Sequence, residues 1–230
     1  MAKLVKLMAL EWKKLKHKMV ISEVVIYTLV IMFMPMIFIR TLPEFGQSYE
    51  TVITLMMSIQ MGFILFGASL INQVVIEEYK YKTMSLSYGY PISRRKLMLA
   101  KVLFIAAFVF VCTFVSCILS GAATFLLNQS FHFIDGQLSL SDIAAYFSRS
   151  LIQSIIITLA SLIPFFIFGV WLRATIPAVL CAIFLMQFQN FGFLLDMDLH
   201  TDLVNIVLCL LGLGSVYLAI ATVDTRIGEI

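Results

Sequence analysis

The chain has 230 residues, of which 61% are hydrophobic and 13% are charged, and its formal net charge is +3. An ordinary globular domain is about 45–50% apolar and about 25% charged, so this composition excludes a conventional water-soluble domain. Helices that are apolar on every side need lipid or a very large core around them, and a chain of this length cannot supply such a core.

The first predicted element is an amphipathic interfacial helix at residues 1–20. On a helical wheel the six lysines and His17 lie outside one apolar arc, and Leu7 and Leu10 are apolar exceptions that also lie outside it. The arc holds six apolar side chains: Leu4, Val5, Met8, Trp12, Leu15 and Met19. Such a helix lies in the plane of the membrane interface. The alternative is that the lysines only fix the orientation of the first span.

Residues 21–230 predict one all-α domain of six membrane-spanning helices, because a span needs about 20 apolar residues. The predicted spans are Ile21–Ile39, Thr51–Ile76, Leu97–Leu127, Leu151–Trp171, Ala174–Leu195 and Leu203–Val223. The first span lacks a small-residue cleavage site, so we expect it to be retained rather than removed as a signal peptide. Only a short stretch around Arg173 divides spans four and five, and Pro35 and Pro164 are expected to kink spans one and four.

The distribution of Lys and Arg predicts the orientation of the spans. Two of these residues, Arg40 and Arg149, fall on one side, and fourteen fall on the other: Lys3, Lys6, Lys13, Lys14, Lys16, Lys18, Lys80, Lys82, Arg94, Arg95, Lys96, Lys101, Arg173 and Arg226. Loops rich in Lys and Arg stay in the cytoplasm. Both termini are therefore predicted to be cytoplasmic, and the basic residues are explained by topology and anionic lipid, with no sign of a nucleic-acid surface.

Polar residues within the spans are few, and two interpretations are open for each. Glu23 lies near the cytoplasmic end of span one, where it either forms a structural ion pair or takes part in gating. Four uncharged polar residues either line a transport pathway or form hydrogen bonds between helices; they are Gln60, Gln73, Gln153 and Thr158.

The segment between spans two and three is predicted to form a cytoplasmic knuckle at residues 77–96. Its first helix begins with Glu77 and Glu78, where the helix dipole favours acids. Gly89 and Pro91 end that helix, and Ser93 caps a second helix that starts at Arg94. The tip carries apolar and aromatic side chains, which favour a protein partner: Thr83, Met84, Leu86, Tyr88 and Tyr90. A solvated loop that only enforces topology is the alternative.

The pattern E-E-Y-K-x-K-T, followed by Y-P-I-S-R-R-K and a lysine at the mouth of the next span, resembles the cytoplasmic knuckle of ABC-2-type exporter permeases. The length, the six spans and the basic N-terminal helix agree with this family, and the chain looks most like small permeases of peptide-antibiotic export and immunity. In the family this segment is a coupling helix that docks on a nucleotide-binding subunit. The resemblance implies coupling roles for this region alone: Glu77, Glu78, Lys82, Thr83, Met84, Leu86, Tyr88, Pro91, Ser93 and Arg94.

The resemblance also implies partners, a location and a substrate class. The expected partners are cytoplasmic ABC ATPase subunits, a second permease (an identical copy or a sister chain) and membrane lipid, and the expected location is the bacterial cell membrane. The expected substrate is a hydrophobic or amphipathic peptide or a lipid-like compound. The chain has no P-loop, since Gly212-Leu-Gly214 lacks the GK[ST] that follows in a nucleotide site. ATP and Mg are therefore expected on the partner ATPase.

No catalytic constellation is present, so we expect a transport subunit rather than an enzyme. The four cysteines lie in apolar spans without metal-ligand spacing. Asp196, Asp198, His200 and Asp202 alternate in one loop and could bind a divalent cation if extended, but a hydrated loop is preferred and no metal is predicted. The alternatives to an ATP-driven exporter are an ATP-independent transporter or channel and a membrane scaffold or sensor.

Overall fold

A computed structural model describes residues 2–41, 49–81, 93–131, 140–194 and 201–226. The described residues form helices joined by short breaks, and no strand occurs among them. Five helical stretches are long and apolar enough to cross a membrane, and the shorter apolar helix Thr175–Phe188 makes a sixth. The predicted all-helical, six-span membrane fold is therefore confirmed.

The helices follow the chain in a simple order. The N-terminal helix is Ala2–Lys14, and span 1 is His17–Thr41. Span 2 is built from Tyr49–Gln60, Phe63–Ile71, a π-helical segment at Asn72–Ile76 and a last turn at Glu77–Lys80. Span 3 is Arg94–Phe131, span 4 is Leu140–Ser161 followed by a π-helical segment at Phe165–Trp171, span 5 is Thr175–Leu194 and span 6 is Thr201–Arg226.

Several boundaries differ from the sequence-based ones. The N-terminal helix ends at Lys14, because Leu15 and Lys16 interrupt the helical hydrogen bonds before span 1 begins. Span 4 begins at Leu140 instead of Leu151, since its first turns contain polar residues such as Asp142 that lower the hydropathy without preventing helix formation. Span 1 runs through Pro35 as one continuous helix.

Pro164 coincides with a change in span 4 from α-helix to π-helix. Proline has no backbone N–H, so neighbouring groups need other partners. Ser215 of span 6 supplies them, because its hydroxyl donates to the Ile163 carbonyl at 3.0 Å and accepts from the Phe166 N–H at 3.0 Å. The irregular stretch is thus stabilised by a neighbouring span.

The chain divides into two compact units. The first comprises Met1–His17, Gly62–Val109 and Ile156–Ile230, and the second comprises Lys18–Met61 and Phe110–Ile155. In the first unit, span 5 packs against the Phe63–Ile71 helix, and span 6 packs against the π-helical segment of span 4. Gly212 allows a close approach there, because an added Cβ would overlap the Leu159 carbonyl oxygen and lie 2.8 Å from its carbon.

Candidate coupling site

Four charged side chains of the first unit form a closed cluster, which we call the charged ring. Glu11 and Lys14 come from the N-terminal helix, Glu78 from the last turn of span 2, and Lys101 from the beginning of span 3. Each carboxylate contacts both lysines, so charges alternate around the ring and cancel. The ring thus joins three helices that are far apart in sequence.

Lys101 is the buried centre of this ring, with no exposed side-chain surface. Its ammonium donates to Glu11 Oε2 at 3.0 Å and contacts Glu78 Oε2 at 2.9 Å. Its third contact is the Val74 carbonyl, at 2.8 Å. The Glu11 and Val74 contacts are hydrogen bonds, whereas the Glu78 contact is an ion pair.

The Val74 contact depends on the π-helical segment of span 2. Val74 lies inside Asn72–Ile76, where the hydrogen-bond register shifts by one residue from that of an α-helix. The Val74 carbonyl accepts a hydrogen bond from Lys101, so the irregular backbone forms part of the binding site for the ammonium. Segments of this kind are often found at functional sites.

Lys14 closes the ring on its more exposed side. Its ammonium lies 3.1 Å from Glu11 Oε1 and 3.1 Å from Glu78 Oε1. Burial lowers the pKa of Lys14, but the charges and hydrogen bonds of Glu11 and Glu78 more than offset this, and the net pKa is raised from its ordinary value of 10.5. Lys14 is therefore held in its charged form.

Apolar contacts fix the N-terminal helix beside the ring. The Trp12 ring packs against Phe108 with centroids 5.3 Å apart, and against Phe104 at 6.4 Å. Its other neighbour is His17, at 4.6 Å. Trp12 and Glu11 thus attach this helix to span 3, while Val5, on the same apolar arc, is 64% exposed.

A second set of contacts connects the last turn of span 2 to the break between spans 4 and 5. Thr175 donates to Asn72 Oδ1 at 2.6 Å, and Lys80 donates to the Thr175 hydroxyl at 3.1 Å. The Arg173 guanidinium lies over the Tyr79 ring, 4.4 Å from its centroid. Residues 79 and 80 therefore hold the beginning of span 5 in place.

Arg173 itself confirms the predicted division between spans 4 and 5. Its φ is 51°, in the left-handed region, and the Ala174 N–H closes the turn on the Phe168 carbonyl at 3.1 Å. This conformation costs a residue other than glycine about 1–2 kcal/mol. The cation–π contact with Tyr79 contributes about 0.5–1 kcal/mol in return.

The predicted coupling residues are only partly among the described ones. Glu78 lies in the charged ring, and Glu77 is 4.0 Å from Lys16 at its edge. The span 3 helix starts at Arg94, as predicted, and the Ser93 carbonyl accepts from the N–H groups of Lys96 and Leu97. The remaining predicted residues lie outside the described residues: Lys82, Thr83, Met84, Leu86, Tyr88 and Pro91.

The predicted pathway residues make contacts between or within helices. Gln60, fully buried, donates to Ser120 at 3.2 Å and accepts from the Cys117 thiol. Gln153 donates to the Met57 carbonyl at 3.4 Å. Gln73 donates to Ser69 at 3.4 Å, and the Thr158 carbonyl accepts from Ser161 at 2.8 Å; these complete the predicted set.

Two further predicted features concern single residues and a loop. Glu23 is half-buried near the beginning of span 1. Asp196, Asp198 and His200 lie outside the described residues, and Asp202 occupies the first turn of span 6. Within the described part of the chain, no group of three His, Cys, Asp or Glu side chains is arranged to hold a metal ion.

Sequence reasoning missed the pairing of Glu11 with Lys101. Glu11 is the one acid in the N-terminal helix, and it lies three residues after Met8 and four before Leu15, on their face of the helix. It is only 3% exposed. An acid on the apolar face of a basic helix signals a buried cation, and Lys101 within an apolar span is its natural partner.

The chain is similar to known proteins over most of its length. Residues 7–189 match the model of a family described as ABC-2 family transporter protein. The chain is also similar to the uncharacterized protein YcbO of Bacillus subtilis (strain 168), with 31% identity over 229 residues that cover 96% of this chain and 98% of the relative. No solved structure matches the chain.

Proposed function

This chain belongs to the ABC-2 family of transporter proteins, and from that premise we propose that it is the permease subunit of an ATP-driven exporter. Family membership makes it the membrane component of an ABC transporter and not itself an enzyme. The export direction, the ATPase contact and the substrate are the parts that we propose. The observation that carries the proposal is that Glu11 and Glu78 both form ion pairs with Lys101.

These two ion pairs support a coupling role for residues 77–96. Glu78 stands at the end of span 2, immediately before the proposed docking segment, and Lys101 stands just after it in span 3. A push on the segment would move both ends together with Glu11 and the N-terminal helix. Tyr79 and Lys80 would pass the same movement to Arg173 and Thr175 of the next spans.

The bias of Lys and Arg supports a cytoplasmic location for this end of the spans, because fourteen of the sixteen fall on one side of the predicted spans. The partner is then a cytoplasmic ABC ATPase that carries ATP and Mg. Six spans are few for a peptide-sized pathway, so two permeases, identical or sister chains, pair in a bacterial cell membrane with two ATPases beneath them.

The substrate class follows from the family resemblance and from the apolar spans. A hydrophobic or amphipathic peptide, exported or removed from the membrane for immunity, suits a pathway with few charged side chains. Charges at mid-membrane cost about 2.5–3.5 kcal/mol or more, and such a substrate does not require them.

The test replaces Thr83–Tyr88 by Gly and Ser and measures two quantities: co-purification with the ATPase, and ATP-dependent transport in proteoliposomes. We expect both to be lost. The matched control places Gly and Ser at Pro43–Ser48, between spans 1 and 2, and should preserve both. Undiminished assembly and transport in the first variant would contradict the proposed docking.

A second variant separates docking from transmission. Glu78→Gln keeps the shape of the side chain but removes its charge from the ring. We expect the ATPase to co-purify normally while transport per ATP hydrolysed falls several-fold. The control is Glu50→Gln, which removes the charge of an exposed acid in the first turn of span 2. Equal effects of the two variants would argue against the ring as the transmitting element.

A further inference from the structure

Two cations meet at the break between spans 4 and 5, and we call them the basic pair: Lys80 and Arg173. The Lys80 ammonium donates to the Thr175 hydroxyl at 3.1 Å, and the Arg173 guanidinium lies 4.4 Å from the centroid of the Tyr79 ring. Tyr79 directly precedes Lys80, and Thr175 lies two residues after Arg173. These contacts therefore bring both charges to one small area of the first unit.

The protein does not neutralise the basic pair. Both contacts are to neutral groups, and among the described residues no carboxylate forms an ion pair with either cation. Glu77, three residues before Lys80, forms its ion pair with Lys16 at 4.0 Å. The buried Nε–H of Arg173 has no acceptor in the described part of the chain. Two like charges held close together repel each other, and an anion between them turns that repulsion into attraction.

The basic pair lies at the level where two spans leave the lipid. The membrane-crossing stretch of span 2 ends at Lys80, and that of span 4 ends at Trp171, two residues before Arg173. Three large apolar side chains beside Arg173 are more than half exposed: Trp171, Leu172 and Ile176. Exposed tryptophan is typical of the membrane–water interface. An anion that reaches the basic pair along this surface is therefore the head group of a lipid.

A phosphodiester suits the basic pair in charge and in geometry. A guanidinium presents planar N–H donors that match phosphate oxygens, and a lysine ammonium adds a compact positive charge. Lys80 is exposed and Arg173 is partly exposed, so a head group can reach them without unfolding the chain. A zwitterionic lipid adds a cation to its phosphate, so the basic pair favours a lipid of net negative charge. Basic pockets between spans bind acidic head groups in this way.

We propose that the basic pair binds the phosphate of an anionic phospholipid, whose acyl chains lie against Trp171, Leu172 and Ile176. The bound phosphate links the last turn of span 2 to the beginning of span 5. Any effect of this lipid on coupling rests on the proposed function, because Lys80 adjoins the proposed docking segment. The binding itself does not depend on that function.

The test is photo-crosslinking to the purified full-length chain in nanodiscs of phosphatidylcholine. One probe is a phosphatidylglycerol with a diazirine in an acyl chain close to the head group, and the companion probe is a phosphatidylcholine with the same chain. Peptide mapping should place cross-links in residues 171–180. Labelling there by the anionic probe should exceed labelling by the zwitterionic probe about tenfold, because two cations near the surface attract it.

Three single variants and one double variant test the two charges. Arg173→Gly removes one charge and suits the φ of 51°, which glycine adopts without strain, and Lys80→Gln removes the other. Each should lower the preference for the anionic probe about three- to fivefold, and the double variant should abolish it. Arg173→Lys keeps the charge and should keep most of the preference, which separates the loss of charge from a disturbed fold.

The matched control is Lys13→Gln, which removes one charge from an exposed residue of the N-terminal helix and should leave the preference unchanged. An equal effect of Lys13→Gln and Arg173→Gly would mean diffuse attraction between lipid and a basic surface, and would overturn the proposal. Equal labelling by the two probes, or no cross-links in residues 171–180, would overturn it as well.

A last arm separates a lipid from a soluble anion. Excess inorganic phosphate, added at constant ionic strength, should leave labelling by the anionic probe unchanged. Loss of the preference would identify a site for a soluble phosphate and contradict the assignment to lipid. The experiment contains no ATPase and no nucleotide, so a failure of the proposed coupling leaves its outcome unchanged and the two proposals can fail separately.

Discussion

The two units bury polar groups among apolar helices in contrasting ways. In the first unit, full charges meet in the ring around Lys101, which has no exposed side-chain surface. In the second unit, neutral groups form what we call the amide network: Gln60 contacts Ser120 and Cys117, and Tyr146 donates to the Cys117 carbonyl. The first arrangement uses four formal charges and the second uses none.

The difference matters because charge and neutral polarity respond differently to the loss of a partner. Moving an ion from water into a protein costs several kcal/mol, and only a complete set of partners offsets this cost. A neutral hydrogen bond between membrane helices contributes about 0.6 kcal/mol on average. The loss of a buried member of the charged ring should therefore cost far more than the loss of one hydrogen bond in the amide network.

The largest expected effect comes from Lys101→Met. This change leaves Glu11 and Glu78 buried beside one remaining, half-exposed lysine. Breaking a buried ion pair by removing one partner costs about 3–5 kcal/mol, so we expect a large fall in the free energy of unfolding. Thermal unfolding in detergent, followed by the loss of the monodisperse fraction, measures it.

The control for this variant removes the carboxylates at the same time. Lys101→Met combined with Glu11→Gln and Glu78→Gln leaves only the charge of Lys14, which is 46% exposed to solvent. Replacement of buried ions by uncharged side chains is often nearly neutral. We expect the combined variant to recover most of the lost stability while coupling to the ATPase stays impaired. If the triple variant is as unstable as Lys101→Met alone, the ring is not the source of the effect.

Close helix packing offers a second way to compare the units. A Cβ on Gly212 would overlap the Leu159 carbonyl, which is backbone and cannot move aside, whereas a Cβ on Gly121 meets the end of the Tyr146 side chain. Overpacking costs about 1–3 kcal/mol. We expect Gly212→Ala to lie at the upper end and Gly121→Ala at the lower end in the same thermal assay.

Gly214 provides the matched control for this pair. It lies in the same helix as Gly212, and an added Cβ would meet nothing within 4 Å. Gly214→Ala should be neutral or stabilise the helix by up to about 1 kcal/mol, because alanine favours helices over glycine. Equal destabilisation by all three changes would mean that helix propensity or lipid contacts, rather than close approach, decide the outcome.

Much of the fold was predictable because hydropathy reports directly which segments can lie in lipid. The ends of the spans were less predictable. Leu140–Leu151 belongs to span 4, but its polar side chains lower the hydropathy of this stretch below that of a predicted span. The two π-helical segments were not predicted at all. Their register depends on distant partners such as Lys101 and Ser215, and local sequence does not contain that information.

Two helix ends near the charged ring were predicted, but the composition of the ring was not. The pattern around Glu77 and Glu78 indicated the end of span 2, and Ser93 indicated the start of span 3, as the structure has it. Lys101 was interpreted as a topology-determining cation and as part of the family pattern, with no partner assigned to it. Its contact with Glu11, ninety residues away in sequence, arises from tertiary packing, which local sequence does not reveal.

A smaller effect is expected when the amide network is opened. Gln60→Leu removes one acceptor for Cys117 and one donor for Ser120, both neutral. Membrane hydrogen bonds of this kind contribute about 0.6 kcal/mol each on average, so the loss of two should lower the free energy of unfolding by about 1 kcal/mol. Gln153→Leu, which removes a long contact of 3.4 Å, should cost less and serves as the comparison. A loss as large as that of Lys101→Met would erase the distinction between the units.

The smallest expected effect is that of Lys14→Met, and its pH dependence has a definite sign. The pKa of Lys14 is raised in the folded chain, so its contribution is complete below 10.5, the value without partners, and disappears as the pH rises through the higher folded-state pKa. Because Lys14 is 46% exposed, solvent screening limits that contribution to less than about 1 kcal/mol. The stability difference between wild type and Lys14→Met should therefore be constant from pH 6 to about 9 and shrink only above 10.5.

Lys13→Met, an exposed neighbour without an ion pair to the described residues, should show no difference at any pH. A Lys14 effect that changed between pH 6 and 8 would have to come from another titrating group, and the charge alternation around the ring would then not explain it.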